Sequence, residues 1–230
     1  MSAPSPQLAP PGQQASTLRV YATLVGIALI AGLAIAFTHE LTRPLVADSR
    51  AQLLTGAVLG VLPGAVSYRG YAQTPDGRLE PTPAAAAPAA AEVFAGFDAA
   101  GRLIGFAIAA EGMGYQDRIG LLYGLDPAAG VLLGLQVLES RETPGLGARI
   151  VDDADFLRNF RGLALPFDEA SALRPLRLAG GQRDAAGQID GITGATVSAR
   201  AVVHIVNDSL AYWLPRLRAA LGSITEADHG

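Results

Sequence analysis

Val20 to Thr38 runs without a charged side chain. About 20 helical residues rise roughly 30 Å, enough to cross the hydrocarbon core of a bilayer, so this run predicts a transmembrane helix over residues 18–38. Residues 1–17 ahead of it are rich in Pro, Ser, Gln and Ala, a composition that predicts a disordered tail. Ala34-Ile35-Ala36 imitates a signal cleavage site, but the apolar stretch is longer than a signal h-region and only Arg19 supplies a basic side chain before it. An anchor is the better reading. Behind Pro44, the spacing of Leu45, Leu53, Leu54, Val58 and Leu62 predicts a membrane-proximal helix over 39–64, ending near Pro63-Gly64.

The pattern then shortens to strand length. Val93–Asp98, Leu103–Ala110, Ile119–Leu125 and Val131–Leu138 are apolar runs punctuated by Gly101-Arg102 and Asp126-Pro127, and predict strands of a largely antiparallel sheet. Pro81–Ala91 is low in complexity and reads as a loop. Asp152–Phe160 predicts a short helix, and Leu176–Leu178 an edge strand before a Gly180-Gly181 loop. In the last long segment Val202, Val206, Leu210, Trp213 and Leu217 share one helical face, with Arg200, His204, Asn207 and Asp208 opposite. Pro215 kinks or ends that helix. Strands followed by a long helix make an α+β domain over 65–222, with 223–230 as a tail.

At 230 residues, 50% of them apolar, the chain holds material for one ordinary core plus attachments. The net charge of −4 and scattered arginines speak against a nucleic-acid partner. The chain lacks cysteine, which excludes disulfides, cysteine-ligated iron–sulfur clusters and attached c-type haem within it. Redox chemistry would need an organic cofactor or a metal. His39, His204 and His229 are too dispersed for a metal site, and His204, spaced by four from Arg200 and Asp208, reads as a solvated face.

The candidate chemistry lies in Asp190-Gly191-Ile192-Thr193-Gly194-Ala195-Thr196, just ahead of the last helix. A helix start leaves N–H groups unpartnered and partly positive, which attracts phosphate. Gly191 and Gly194 give the approach conformations closed to other residues, and Gly194-Ala195 keep bulk away from the Thr196 hydroxyl. The bland alternative makes Thr193 or Thr196 an ordinary N-cap, worth about 1 kcal/mol. A second segment, Glu139 to Gly147, follows the Val131–Leu138 run; Pro144-Gly145 suit the centre of a type II turn, and Gly147 keeps the loop open to close contact. Its alternative is a surface turn with solvated charges. A third, Glu111 to Ile119, is a glycine-rich hairpin in which Tyr115 is either packed or free to meet a ligand. Threonine is a poor nucleophile without a base, and no His-Asp or Lys constellation lies near Thr196 in sequence, so self-modification is not expected.

E-T-P-G-L-G at 142–147 and D-G-I-T-G-A-T-V-S-A-R-A-V-V at 190–203, behind an N-terminal anchor, resemble the RnfG family, the FMN-binding subunits of Rnf (Rsx) ion-translocating electron-transport complexes. The NqrC component of the sodium-translocating NADH:quinone reductase shares both motifs in outline, while the run after the T-G-A-T favours RnfG. The resemblance extends from the anchor to the last helix. It implies that Thr196 carries FMN through a phosphoester bond made by a separate transferase that uses FAD. Asp190 is then a positioning residue for that transferase, an Asx-turn former, or both; Gly191, Gly194 and Ala195 present the hydroxyl; Thr193 offers its own hydroxyl to the phosphate or caps the helix. Arg200 is either a charge partner or solvated. Thr143, Leu146 and Gly147 form a wall for the isoalloxazine with Leu146 covering the ring, Glu142 orients the loop or stays in water, and Tyr115 is an aromatic candidate beside the cofactor.

The implied protein is a covalently flavinylated electron carrier in a complex coupling electron transfer, with ferredoxin or NADH as the ultimate donor or acceptor, to ion translocation. It is a redox subunit without independent turnover, partnered by the other Rnf subunits and matured by the flavin transferase. Its expected place is the bacterial inner membrane, single-pass, with the main domain periplasmic and the tail cytoplasmic. The alternatives are an NqrC-like or other flavinylated extracytoplasmic redox domain, and a membrane-anchored binding or assembly module with no redox role.

Overall fold

One helix, α1 (Thr17–Val61), contains both the apolar run and the segment behind it. The computed structural model describes residues 17–83, 91–179 and 186–226. The tail before Thr17, the centre of the Pro81–Ala91 tract, the Gly180-Gly181 loop and residues 227–230 lie outside the described residues. Where the sequence predicts two helices, with one starting at Pro44, the described backbone is continuous through that position. A proline ring deletes one intrahelical donor, and a helix of this length can lose one bond without ending.

Residues up to Ser49 and those from Arg50 onward form separate units. In the first, Arg19–Leu41 has a mean hydropathy of 2.3 and buries none of its side chains. Its 23 residues rise roughly 35 Å, long enough to cross a membrane. The threonine hydroxyls within this span are satisfied locally: Thr23 Oγ1 donates to the Arg19 carbonyl at 2.9 Å and Thr38 Oγ1 to that of Ala34 at 2.8 Å. Such back-bonding removes the need for water in an apolar medium.

The second unit is built on a seven-stranded antiparallel sheet in the order β2-β1-β3-β4-β5-β6-β7. Its strands are β1 (Ser67–Gln73), β2 (Leu79–Pro81), β3 (Val93–Phe97), β4 (Leu103–Met113), β5 (Arg118–Asp126), β6 (Val131–Ser140) and β7 (Leu163–Ala164). The four central strands coincide with the four apolar runs. Alternate residues point to opposite faces: Phe94, Ala107 and Leu122 meet Ala57, Val58, Val61 and Leu62 at the end of α1, while Phe106, Ile108, Leu121 and Tyr123 belong to the core shared with the last helix. β1 and β2 go beyond the predicted strands, being polar and only half-buried; Pro81 is accommodated because β2 is an edge strand.

After β6 come a 3₁₀ helix (Gly147–Val151), a short helix α2 (Ala154–Arg158), a parallel pair of β8 (Arg177–Leu178) and β9 (Gln188–Ile189), and the long helix α3 (Thr196–Glu226). The Asp152–Phe160 segment is thus mostly helical as expected, capped by Asp153, whose carboxylate accepts the Phe156 N–H. α3 runs past Pro215 without ending and takes in the first residues of the expected tail. Val202, Val206, Leu210 and Leu217 are fully buried and Trp213 nearly so. Asn207, expected on the solvent face, instead pairs its amide with the Leu176 backbone at 2.8 and 2.9 Å. Tyr123 and Ser209 share a 2.8 Å hydrogen bond that ties sheet to helix. Ile119 pairs with Ser140, so the β4–β5 hairpin tip and the exit of β6 lie at the same end of the sheet.

Candidate functional site

Two turns shape this end of the domain. Leu146 N–H donates to the Thr143 carbonyl at 3.2 Å across Pro144-Gly145, with Gly145 at φ 74°. Ala195 N–H donates to the Ile192 carbonyl at 3.0 Å across Thr193-Gly194, with Gly194 at φ 85°. Both place glycine where a type II turn demands a left-handed residue. Gly191 has no such need: its φ is not positive, and a Cβ there would meet only Leu178 Cδ1 at 3.9 Å. Of the two motif glycines expected to be conformationally required, only Gly194 is.

The second turn delivers the chain into α3. The Ala195 carbonyl accepts the Ala199 N–H at 2.9 Å, which makes buried Ala195 the cap residue and Thr196 the first helical one. Neither threonine is the N-cap, so capping does not explain them. Thr193 and Thr196 are both exposed, and the Thr196 hydroxyl has no partner among the described residues. A Cβ on Gly194 would meet nothing within 4 Å, so the turn itself is open to solvent.

Glu142 fastens the surrounding segments together. Its side chain is buried, with residual exposure of 5%. Oε2 accepts the Ser198 hydroxyl at 2.5 Å, and Oε1 accepts the N–H groups of Gln116 at 2.9 Å and Asp117 at 3.4 Å. The hairpin tip, the end of β6 and the first turn of α3 thus meet on one carboxylate. Burial pushes its pKa upward, but the Ser198 hydroxyl and the backbone N–H groups of Gln116, Asp117 and Tyr115 outweigh that and hold it below the usual glutamate value. A carboxylate at a helix start also meets the positive end of the helix dipole. The neighbouring glycines are required by this contact: a Cβ on Gly114 would collide with Glu142 Oε1, and one on Gly147 would lie 2.5 Å from Glu142 Oε2 and 2.6 Å from Ser198 Oγ. Gly147 therefore admits a close approach, and the group that approaches is Glu142. These contacts are those of a residue that orients the loop, not of a charge left in water.

Thr143 Oγ1 donates to Gln116 Oε1 at 2.7 Å, a second link between the turn and the hairpin tip. Tyr115 is 72% exposed and Leu146 54%, so neither is packed inside the domain. Val197, also 54% exposed, adds a third large apolar side chain. Tyr115 follows Gly114, Leu146 precedes Gly147 and Val197 precedes Ser198, so the three border the Glu142 node. A cavity of about 440 Å³ lies between β4 and α3, lined by Met113, His204, Tyr212 and Trp213 among others.

Two residues without a sequence signal support the motif loop. Arg149 donates from Nη1 to the Thr193 carbonyl at 2.8 Å and pairs through Nη2 with Asp153 at 2.9 Å. Asn159, 6% exposed, accepts the Asp190 N–H at 3.2 Å and donates to the carbonyls of Asp155 and Phe156. Asp190 itself is exposed, beside a shallow cleft shared with Asp155, Arg158 and Asn159. A lone Arg or Asn in a loop carries no spacing pattern, so neither could be singled out from sequence. Arg200 is exposed and makes no hydrogen bond or ion pair among the described residues. His204 and Asp208 form an exposed i,i+4 pair at 3.4 Å.

The FMN-binding domain family matches residues 114–211, from the hairpin tip through both motifs into α3. Similar curated proteins are named as the G subunit of the ion-translocating oxidoreductase complex. The one from Methanosarcina acetivorans is 27% identical over 84% of this chain and 93% of its own length. Those from Pseudomonas aeruginosa and Pectobacterium atrosepticum are 40% and 39% identical over about 44% of each chain. The chain is a relative of these G subunits. The alignments cover about half or less of the bacterial relatives' length, and the fold is also that of NqrC. The crystal structure of Shewanella oneidensis NqrC superposes with a TM-score of 0.62 at 19% identity, covering 75% of this chain and 99% of that one. The C subunit of the Na⁺-translocating NADH-quinone reductase from Parabacteroides distasonis gives 0.53 at 21% identity, over 66% and 78%. The chain thus presents an α+β domain, much of it matched by the FMN-binding domain family, behind an apolar N-terminal helix.

Proposed function

We propose that this protein is a membrane-anchored electron carrier whose FMN is esterified to Thr196, serving a multi-subunit complex that couples electron transfer to ion translocation. The observation that carries the reading is the Thr196 hydroxyl: exposed and unpartnered at the first position of a long helix, inside the segment matched by the FMN-binding domain family. The residues present fit the group. The first turn of α3 offers N–H donors to a phosphoryl oxygen, Thr196 is exposed with the open Gly194 turn ahead of it, and Tyr115, Leu146 and Val197 supply apolar surface. When bound, FMN supplies one- and two-electron transfer chemistry that no side chain offers.

Attachment is a group transfer. With FAD as donor, Thr196 Oγ1 forms a bond to the phosphorus of the FMN half, the pyrophosphate P–O bond breaks, AMP leaves, and the hydroxyl proton passes to base or solvent in the transferase site. No electrons change hands. The sequence around Thr196 supplies no base, and an exposed hydroxyl on a small-residue loop suits presentation to another enzyme's active site. An exposed attachment residue favours the same reading, because a carrier must bring its ring close to the partners it exchanges electrons with. A covalent tether keeps a flavin that lies over a surface from being lost on the periplasmic side, where we place the domain; its partners there are the other subunits of the complex.

The test is intact mass of the full-length protein produced with and without an FAD-dependent flavin transferase. One FMN less water is the expected gain, with a yellow-green fluorescent band surviving denaturing electrophoresis. A non-redox binding or assembly module would show neither.

A further inference from the structure

The phosphoester proposed at Thr196 is a phosphodiester with one full negative charge, and the sequence offers Arg200 as its cation. The geometry points to Arg149 instead: we propose that its guanidinium is the charge partner of the Thr196 phosphoester, held in place by Asp153 and by the motif loop. This rests on the Thr196 reading above.

Arg149 lies in the 3₁₀ helix that follows the Pro144-Gly145 turn, yet its side chain reaches the other motif, where Nη1 donates to the Thr193 carbonyl at 2.8 Å. Thr193 is three residues before Thr196, a separation of roughly 11 Å at most if the chain were fully extended, and here it is folded into a turn. Nη2 pairs with Asp153 Oδ2 at 2.9 Å, and Asp153 is itself fixed as the cap of α2 by the Phe156 N–H. Both ends of the guanidinium plane are therefore anchored. A guanidinium has five N–H donors; two are engaged, and three remain uncommitted among the described residues. With the side chain 45% exposed, the group is open to an incoming ligand.

Arg200 is exposed and bonds nothing among the described residues, the motif backbone included, and the other arginines nearby are occupied away from the loop. Arg158 pairs with Asp155, Arg118 with Glu111, and Arg141 with Asp117 and Glu139. Arg149 alone among them bonds the motif backbone. Its planar fork suits two phosphoryl oxygens at once, which a point charge does not.

The experiment uses full-length protein coexpressed with the flavin transferase. It reads the extent and rate of modification by intact mass, and the ³¹P resonance of the modified product. Arg149→Gln should be modified about tenfold more slowly, in keeping with loss of a charge-assisted contact, and should shift the ³¹P signal; Arg149→Lys should keep roughly half or more of the wild-type rate, since the charge survives; Arg200→Gln should match wild type in both. Trp213 fluorescence in each variant reports whether the domain is folded. If support of the loop were the whole role of Arg149, Gln and Lys would behave alike and the ³¹P signal of the two products would coincide, and that result overturns the proposal. It is also overturned if Arg149→Gln matches wild type. A wild-type protein that acquires no flavin would defeat the Thr196 reading itself, which separates the two failures.

Discussion

Glu142→Ala should be among the most damaging single changes at this end of the domain, and its cost can be worked from the contacts. The substitution removes the acceptor for the Ser198 hydroxyl, whose residue is 2% exposed and has no water to turn to. It also removes the acceptor for the N–H groups of Gln116 and Asp117, which are near enough to the surface to be rehydrated. A hydrogen bond to a charged group contributes about 1.5–3 kcal/mol, and an orphaned buried hydroxyl costs about 1–3 kcal/mol. Allowing the two amides to recover most of their loss in water leaves about 3 kcal/mol. Glu142→Gln keeps shape and one acceptor oxygen, so about 1–2 kcal/mol is expected, the difference between charged and neutral bonds. Trp213 is the single tryptophan and is 8% exposed, so urea titration of the full-length chain in detergent, followed by its fluorescence, reads unfolding of the domain directly. A Glu142→Ala protein within about 0.5 kcal/mol of wild type would refute the idea that this carboxylate joins the three segments.

Because the folded Glu142 carboxyl is held below its unfolded value, its contribution is present at neutral pH and is lost as pH falls from about 4.5 through the lower folded pKa; the gap in urea midpoint between wild type and Glu142→Gln should accordingly narrow in acid. Gly194→Ala puts a side chain at φ 85° and should cost about 1–2 kcal/mol, whereas Gly191→Ala should stay within about 0.5 kcal/mol; equal effects in the same titration would contradict the turn assignment. Asn207→Ala removes two bonds to the Leu176 backbone and should cost about 2 kcal/mol, with faster hydrogen exchange at the Leu176 amide as the specific sign.

The sequence is most readable where one periodicity dominates. Val93–Phe97 and Arg118–Asp126 are buried almost throughout, so their apolar runs stand out, and the stripe from Val202 to Leu217 is unambiguous because it packs on one broad face. β1 escapes notice because SYRGYAQ is buried only at Gly70 and Tyr71 and includes Arg69 and Gln73. The turn chemistry of Pro144-Gly145 and Gly194 is also local, and it is legible. What sequence does not disclose is contact over distance. The Glu142 bonds reach 26 residues back to Gln116 and 56 forward to Ser198, and Arg149 reaches 44 residues to Thr193. For this reason Gly147 reads in sequence as open to a ligand when it is open to Glu142, and the cation is sought one helical turn along from Thr196 when the one bonded to the motif comes from another loop. Asn207 falls with the solvent face in a helical projection because its partner, the Leu176 backbone, lies 31 residues earlier.

The most direct measurement is peptide-resolved mass spectrometry of the full-length protein matured with the flavin transferase, alongside a Thr196→Val variant treated identically. Thr196 is exposed and its hydroxyl carries no structural bond among the described residues, so the valine protein should fold as wild type does. The account predicts that the wild-type peptide spanning 190–200 is heavier by one FMN less water and that the variant peptide carries no such increment. A label that persists in the variant, or resides on Thr193 or any other peptide of the wild-type protein, would contradict it.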